Sequence, residues 1–240
     1  MFSHEGPARN ARSNSVLAGY LAFVAGFANA SGLILFGAFT SHVTGNVARV
    51  SASVARGDMK GAAQAGILVA VFLLGAVTAS LLVETSFFRR TSSAYGAALL
   101  VQGGLLSTFV VTDAASLLSF AMGMQNSLVT RLSGSVVRTT HLTGVVTDLG
   151  IEIARWARWT WSKAFGGRFA SPGRNPAARP TPTRSLLLLT IALTFTAGGW
   201  LGAIVAPAWG ARSIAVPAAA ILLAAAYAFA AGPLSRSQSG

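Results

Sequence analysis

Two short segments of this chain repeat a pattern of residues that could bind a solute or carry a proton. They are residues 40–46, Thr-Ser-His-Val-Thr-Gly-Asn, and residues 139–145, Thr-Thr-His-Leu-Thr-Gly-Val. Threonine offers a hydroxyl group, glycine lets a solute approach the backbone, and histidine changes its charge near neutral pH. If each motif starts a helix, its free N–H groups and positive dipole end favour an anion or a neutral hydrogen-bonding solute.

The likeness extends upstream, because the pattern Phe-x-x-Gly-x-x-Asn precedes each motif at residues 23–29 and 120–126. We expect the two asparagines to make either hydrogen bonds between helices or contacts to a substrate. The two histidines are either structural or serve proton coupling or substrate contact. The candidate substrate-binding residues are Asn29, His42, Thr44, Gly45, Asn46, Asn126, His141, Thr143 and Gly144.

The composition indicates that these segments lie in a membrane protein. Only 10% of the residues are charged, 53% are hydrophobic and the mean hydropathy is +0.61, which is far from the soluble range of about one quarter charged residues. Several apolar blocks reach the roughly 20 residues that cross a bilayer as a helix. The predicted spans are residues 16–38, 61–83, 91–112, 114–130, 185–206 and 213–231.

The two motif segments, residues 43–56 and 145–165, are too polar for clear lipid-facing spans. We expect two short helices there that are re-entrant or partly buried, because unpaired backbone cannot face lipid. Ser41 or Thr44 could cap the first of them. The later half of the second segment is amphipathic and suits the headgroup level.

The chain is predicted to be a single membrane domain, residues 1–240, with repeats at 16–112 and 114–232. Three spans in each half would invert the second half relative to the first. The fold class is therefore an all-α membrane protein with about six transmembrane helices and the two motif helices, arranged as an inverted internal repeat. If both motif segments crossed, eight spans would form a parallel repeat and place Arg89, Arg90, Arg131 and Arg138 outside, against the positive-inside rule.

Four residues beyond each motif glycine lie opposite charges, Arg49 and Asp148. Charges are costly within a membrane, so this pair is predicted to be a structural ion pair or a gating or coupling pair. No catalytic residue, metal site or cofactor is predicted. The chain has no cysteine, and two histidines without a third ligand make a poor metal site.

The net charge is +12, and seven of the 18 basic residues lie between Arg155 and Arg184 with no acidic residue among them. The last part of this segment is the predicted basic cytoplasmic loop, residues 166–184, which is rich in proline and expected to be disordered. Contact with anionic lipid headgroups explains this charge without nucleic acid. The positive-inside rule predicts cytoplasmic N- and C-termini. The sequence carries no signal for an oligomeric state.

The chain resembles the YoaK family of polytopic bacterial membrane proteins, a domain of unknown function. The resemblance rests on Thr44-Gly45-Asn46 before a helix of small residues that ends in Arg56-Gly57-Asp58, on Gln125-Asn126, and on the run from Arg138 to Gly150. It covers residues 16–231 and implies a bacterial cytoplasmic-membrane protein without an established activity. The basic loop departs from the family in length and proline content.

Three functions fit these observations. The first is a small-solute transporter or channel-like permease with its site between the two Thr-Gly motifs. The second is a membrane-embedded enzyme that uses His42, His141 and Asp148 as acid and base groups, which no nucleophile–base constellation supports. The third is a non-catalytic membrane partner or sensor protein.

Overall fold

The computed structural model describes residues 11–84, 91–132, 140–164 and 179–230. Within these ranges the chain forms α-helices and no strand, so the predicted all-α class is confirmed. The helices are α1 (Ala11–Phe36), α2 (Val43–Ala55), α3 (Met59–Glu84), α4 (Thr91–Thr112), α5 (Ala115–Leu132), α6 (Leu142–Ala164), α7 (Pro182–Trp209) and α8 (Ala215–Ala230), with a 3₁₀ turn at Gly210–Ile214.

Each predicted span falls on one of these helices. Among the described residues, four segments are long and apolar enough to cross a membrane: Ser15–Phe36, Met59–Glu84, Ser92–Thr112 and Pro182–Ala230. The last segment contains two helices, α7 and α8. The helix α5 has 18 residues and falls short by this measure, since it carries Gln125, Asn126 and Arg131.

Both ends of α7, the helix that follows the basic loop, differ from the prediction. Residues 165–178, most of that loop, lie outside the described residues. Its predicted end is wrong, because α7 starts at Pro182, whose fixed φ angle and missing N–H suit the first turn of a helix. The turn expected at residues 207–209 begins instead at Gly210, which has a positive φ of 55°.

Glycines bring four helices into backbone contact in two pairs. The helix α1 packs against α7, and α3 packs against α5. Each of the four carries the pattern Phe-x-x-Gly, and a Cβ atom on any of these glycines would overlap the backbone carbonyl of the phenylalanine in the facing helix. Small residues allow this approach in membrane helices, where close packing replaces the hydrophobic effect. The contacts are Gly26 with Phe195, Gly198 with Phe23, Gly75 with Phe120, and Gly123 with Phe72.

The helices within each pair run parallel. Along α1 and α7, Gly19 lies against Thr190 and Gly26 against Phe195. Along α3 and α5, Leu68 lies against Ser119, whose hydroxyl donates to its carbonyl at 2.9 Å, and further along both helices the hydroxyl oxygens of Ser80 and Ser127 are 2.8 Å apart.

Buried glutamines connect these pairs through α4. The side-chain amide of Gln102 in α4 donates to Oε1 of Gln125 in α5 at 3.0 Å, and the amide of Gln125 donates to the carbonyl of Leu21 in α1 at 2.7 Å. Because only residues 113–114 separate α4 from α5, these two helices are antiparallel. The ring of Phe36 at the end of α1 meets the ring of Phe109 edge-on at 5.8 Å, so α1 runs parallel to α4.

The last helix, α8, is antiparallel to α4, since Gly96 lies against Phe229 and Gly103 against Leu222. Three helices, α1, α4 and α7, therefore run in one direction, and α3, α5 and α8 run in the other. We call the end where α1, α4 and α7 finish the first end of the bundle, and the opposite end the second end.

We expect Gly75→Ala and Gly123→Ala each to lower the free energy of unfolding by about 1–3 kcal/mol or more, since this is the usual cost of overpacking a tight contact. The reason is steric, since alanine is otherwise the better helix former. The control is Gly104→Ala, where a Cβ would meet nothing within 4 Å. Thermal unfolding of the purified protein in detergent measures all three. Equal melting temperatures for Gly75→Ala and the control would contradict the packing described here.

Candidate functional site

The first motif folds back into the bundle from the first end. After α1 ends at Phe36, Gly37 takes a positive φ of 61° and reverses the chain. The backbone N–H and the hydroxyl of Ser41 both donate to Oδ1 of Asn29, at 3.2 and 3.0 Å. Asn29 lies seven residues before the end of α1, so the motif sits about 10 Å inside the end of that helix.

The second motif folds back in the same way from the second end. The hydroxyl of Thr140 donates to Oδ1 of Asn126 at 2.7 Å, six residues before the end of α5 and so about 9 Å inside it. Residues 133–139, including Thr139 of the motif, lie outside the described residues. Asn29 and Asn126 therefore each hold the motif that follows their own helix, a role that neither predicted alternative includes.

Both motif loops contact the same face of α5. The hydroxyl of Ser119 donates to the carbonyls of Thr40 and Leu68, at 3.0 and 2.9 Å, while Asn126 holds Thr140. Ser119 and Asn126 are seven residues apart, which is two helical turns, so their side chains share a face and lie about 10 Å apart along the axis. The two loops enter from opposite ends and reach neighbouring depths near the middle of the bundle.

In each motif the imidazole ring of the histidine packs directly against the glycine. The helices α2 and α6 begin directly after the histidines, whose carbonyls accept the N–H groups of Asn46 and Val145 at 3.1 and 3.2 Å. A Cβ atom on Gly45 or Gly144 would overlap Nδ1 of the preceding imidazole. Glycine thus leaves room for the ring over the first helical turn, and Phe39 stands edge-on to His42 at 5.3 Å.

The predicted side-chain cap is wrong for the first motif. His42, not Ser41 or Thr44, occupies the position before α2, and no side chain caps the helix. The Ser41 hydroxyl instead donates to Asn29. Asn46 is buried and donates to the carbonyl of Phe39 at 2.8 Å. The remaining candidates are half-buried or exposed: Gly45 and Gly144 are half-buried, and His42, Thr44, His141 and Thr143 are exposed.

The second motif helix is long, whereas the sequence predicts two short ones. The helix α2 has 13 residues and packs against α3, whereas α6 has 23 and packs against α7. The chain leaves α2 at Gly57, where φ is +73°. At the matching position of the second half stands Trp156, which favours helix, so α6 continues through its amphipathic half.

Arg49 and Asp148 do not form the predicted ion pair, because α2 and α6 follow motifs at opposite ends. A guanidinium nitrogen of Arg49 donates to the carbonyl of Gly37 at 3.1 Å. Asp148 lies 3.5 Å from Arg184 in the first turn of α7. Arg184 also lies 3.6 Å from Glu152, which is 2% exposed. This cluster joins α6 to α7 near the second end.

Arg49 lines a cavity of about 360 Å³ at the first end. The cavity lies between the end of α1, the helices α2 and α3, and the start of α5. Its lining residues are Phe36, Ala38, Arg49, Gln64, Ile67, Leu68, Ala115 and Ser116. Ser119, one turn beyond Ser116 in α5, holds Thr40 of the motif loop, so the cavity leads toward the first motif.

At the matching place near the second end, the described parts of α1 and α7 are in close contact. The repeat pairs Ser116 with Gly19 and Ile67 with Thr190, and a Cβ on Gly19 would lie 3.0 Å from the methyl group of Thr190. Asp148, the counterpart of Arg49, is bound to Arg184 there. A second cavity at the first end, about 580 Å³, is lined by Val110, Ala208, Trp209, Arg212 and Ala215, none of which belongs to a motif.

Most of the chain is similar to known membrane proteins. A family model described as "Protein of unknown function (DUF1275)" matches residues 17–227. This chain belongs to the DUF1275 family. It is also 29% identical over 211 residues to a UPF0700 transmembrane protein of Rhizobium meliloti (strain 1021), a match that covers 87% of this chain and 83% of the relative. No solved structure matches significantly.

These findings confirm the resemblance to the YoaK-like membrane family, and they make this chain a multi-pass membrane protein of a family of unknown function. In the ranges that the structure describes, no three histidine, aspartate or glutamate side chains are grouped as metal ligands.

Sequence reasoning misses three polar residues of this DUF1275 protein: Gln64, Ser116 and Arg184. Gln64 and Ser116 stand inside apolar helices, and a polar residue within a span is itself a signal of function or buried contact. The sequence pattern places Arg184 in the basic loop, although Pro182 two residues earlier marks a helix start.

We expect Gly45→Ala to destabilise this DUF1275 protein because the new methyl group displaces the His42 ring. In a His42→Ala background the same change should cost much less, since the ring is gone. The coupling between the two changes should be about 0.5–3 kcal/mol, the range for residues in contact. Thermal unfolding of the two single variants and the double variant measures it, and Gly144 with His141 offers the matched pair. Additive effects in both pairs would show that the histidine ring does not pack against the glycine.

Proposed function

We propose that this protein is a small-solute transporter or channel-like permease of the bacterial cytoplasmic membrane, with its solute path between the two motifs. The observation that carries the proposal is the approach of both motif loops to one face of α5, with a cavity that contains Arg49 beside the first loop and a close contact between α1 and α7 on the side of the second. Broken, polar segments at matching positions of two repeats are typical of transport sites at the bilayer midplane.

The two halves are proposed to form an inverted repeat of three spans each. Three observations support this arrangement: the Gly–Phe contacts occur in reciprocal pairs, the Asn–hydroxyl bond occurs once in each half, and α1 and α3 run opposite to their counterparts α5 and α7. In this arrangement α2 and α6 do not cross. The six spans are α1, α3, α4, α5, α7 and α8.

The second end is proposed to be cytoplasmic. Only four of the 18 basic residues belong by connectivity to the first end: Arg49, Arg56, Lys60 and Arg212. The remainder follow the positive-inside rule, and both termini are then cytoplasmic. At this end Trp159 of α6 stands edge-on to Trp156 and lies under the charges of Lys163 and Arg179, 4.7 and 5.6 Å from its ring centroid. Such a cluster suits anionic headgroups at the membrane interface.

Single-cysteine labelling tests this topology without background, because the natural chain has no cysteine. We expect a membrane-impermeant maleimide to label Lys60→Cys and Thr112→Cys in intact cells, and to label Lys163→Cys only after the membrane is permeabilised. All three positions are exposed. The eight-span alternative predicts the reverse for Thr112→Cys, so protection of that position in intact cells would reject six spans.

In this proposal the structure corresponds to a state open at the external end. The solute enters the cavity beside Arg49, reaches the motif loops at mid-depth, and leaves when the second end opens. That opening requires Arg184 to release Asp148 and Glu152, and Thr190 to separate from α1. Rocking of helices around a fixed central site is the usual form of alternating access.

Uptake into proteoliposomes tests transport. A panel of labelled anionic and neutral polar solutes should contain one that enters faster than into protein-free liposomes. We expect Ser116→Leu to reduce that uptake at least about tenfold, because the larger side chain fills the cavity. The matched control is Ser51→Leu on the exposed side of α2, which should retain uptake. Equal uptake by both variants would exclude the cavity from the path, and no uptake of any solute would favour a non-catalytic partner or sensor.

A further inference from the structure

The cavity at the first end contains one charge and few polar groups. Of its eight lining residues, Arg49 is charged, Gln64 and Ser116 are polar, and the other five are apolar. A ligand in this space would therefore meet a guanidinium group, an amide and a hydroxyl, with hydrocarbon around them. The volume of about 360 Å³ lies toward the lower end of the range of ligand pockets, about 300–1,000 Å³, so the space suits a small molecule.

Arg49 has hydrogen-bonding capacity that the protein does not use. A guanidinium group has five N–H donors, and within the described part of the chain Arg49 makes one hydrogen bond, to the carbonyl of Gly37. This contact holds the side chain where the chain reverses after α1. Among the described residues no carboxylate lies within 4 Å of the Arg49 guanidinium, since the ion pairs found there involve Arg131, Arg155 and Arg184.

Asp58, the acidic residue nearest to Arg49 in the sequence, has another hydrogen-bond partner. Its Oδ1 accepts the backbone N–H of Gly61 at 2.9 Å, so it caps the start of α3. The counterpart of Arg49 in the second half behaves differently, because Asp148 has a partner in Arg184. Charged groups within membrane segments are normally paired or face water, and Arg49 is the member of this matched pair that has no counter-ion among the residues that the structure describes.

We propose that the ligand of this cavity is a small planar oxyanion, with a carboxylate as the leading chemistry, bound by the guanidinium group of Arg49. This inference rests on the proposed function and names the class of solute. Arginine binds carboxylates with two parallel hydrogen bonds, and these charge-assisted bonds are stronger than neutral ones. The amide of Gln64 and the hydroxyl of Ser116 can bind polar groups elsewhere on the solute, while the apolar walls exclude water and strengthen the ion contact.

Ligand-induced stabilisation of the purified protein in lipid nanodiscs tests the assignment. The probes are sodium acetate and sodium lactate, with acetamide and lactamide as neutral matches and sodium chloride as the salt control. We expect the carboxylates, and neither amide, to raise the melting temperature of the wild type in a saturable manner. Arg49→Gln should weaken the apparent affinity roughly 10- to 100-fold, the loss expected for one charged hydrogen-bonding partner.

Two further variants make this result specific. Arg56→Gln removes a charge from the same region at an exposed position outside the cavity, and it should bind carboxylates as the wild type does. Arg49→Lys keeps the charge without the planar fork, so it should bind with intermediate affinity and lose its preference for carboxylate over chloride. If Arg49→Gln does not fold, the Arg49→Lys variant tests the proposal. An unchanged preference for carboxylate over chloride in that variant would overturn it.

The outcomes separate this inference from the transport proposal. Carboxylate binding that depends on Arg49, without uptake of carboxylates into proteoliposomes, would support the oxyanion site and contradict transport. Uptake of a neutral solute that Arg49→Gln does not change would support transport and overturn the oxyanion site. Equal stabilisation of wild type and Arg49→Gln by carboxylates, or none with either, would overturn the site as well.

Discussion

The described parts of both motif loops are held inside this bundle by hydrogen bonds to neighbouring helices. The constraint is physical, because hydrocarbon offers no partner to a free N–H or carbonyl group. Asn29 binds both donors of Ser41, and Ser119 binds the carbonyls of Thr40 and Leu68. Chain reversals that would be costly in lipid are thereby possible near the middle of the protein, and the motif loops, the cavity and the proposed path all depend on them.

The strongest contacts cross between the sequence halves. The helix α1 of the first half packs on α7 of the second, and α5 of the second packs on α3 of the first. Each motif helix packs on a member of a different pair, α2 on α3 and α6 on α7. If the protein moves as the proposed function requires, the moving bodies are therefore these mixed groups rather than the two repeats. The helices α4 and α8, which pack on each other, stand between the groups.

The residues of each motif have divided roles. The asparagine upstream and the hydroxyl residue before the histidine position the loop, and the glycine makes room for the imidazole. These roles explain why the residues recur without any ligand. The matched charges, in contrast, have diverged: Asp148 is neutralised by Arg184, whereas Arg49 faces a cavity. The difference between the halves is therefore the best indication of where a solute binds.

Local pattern in the sequence determined the helices, the repeat and the polar positions. Apolar windows of about 20 residues and the glycine and proline residues between them define the helical segments closely, because these signals act over a few residues. The repeated Phe-x-x-Gly-x-x-Asn pattern likewise marks Asn29 and Asn126 as matched positions, since residue order alone carries it. The family membership follows from the same residues.

Tertiary structure decided which of these residues meet. In the folded protein Arg49 and Asp148 lie apart, Asp148 pairs with Arg184, and Gln64 and Ser116 line the same cavity. None of these contacts could be read from spacing, because each depends on which helix lies beside which and at which end a motif enters. That choice is made by backbone contacts at glycines that lie far from their partners in the sequence, such as Gly26 with Phe195, and no local periodicity records it.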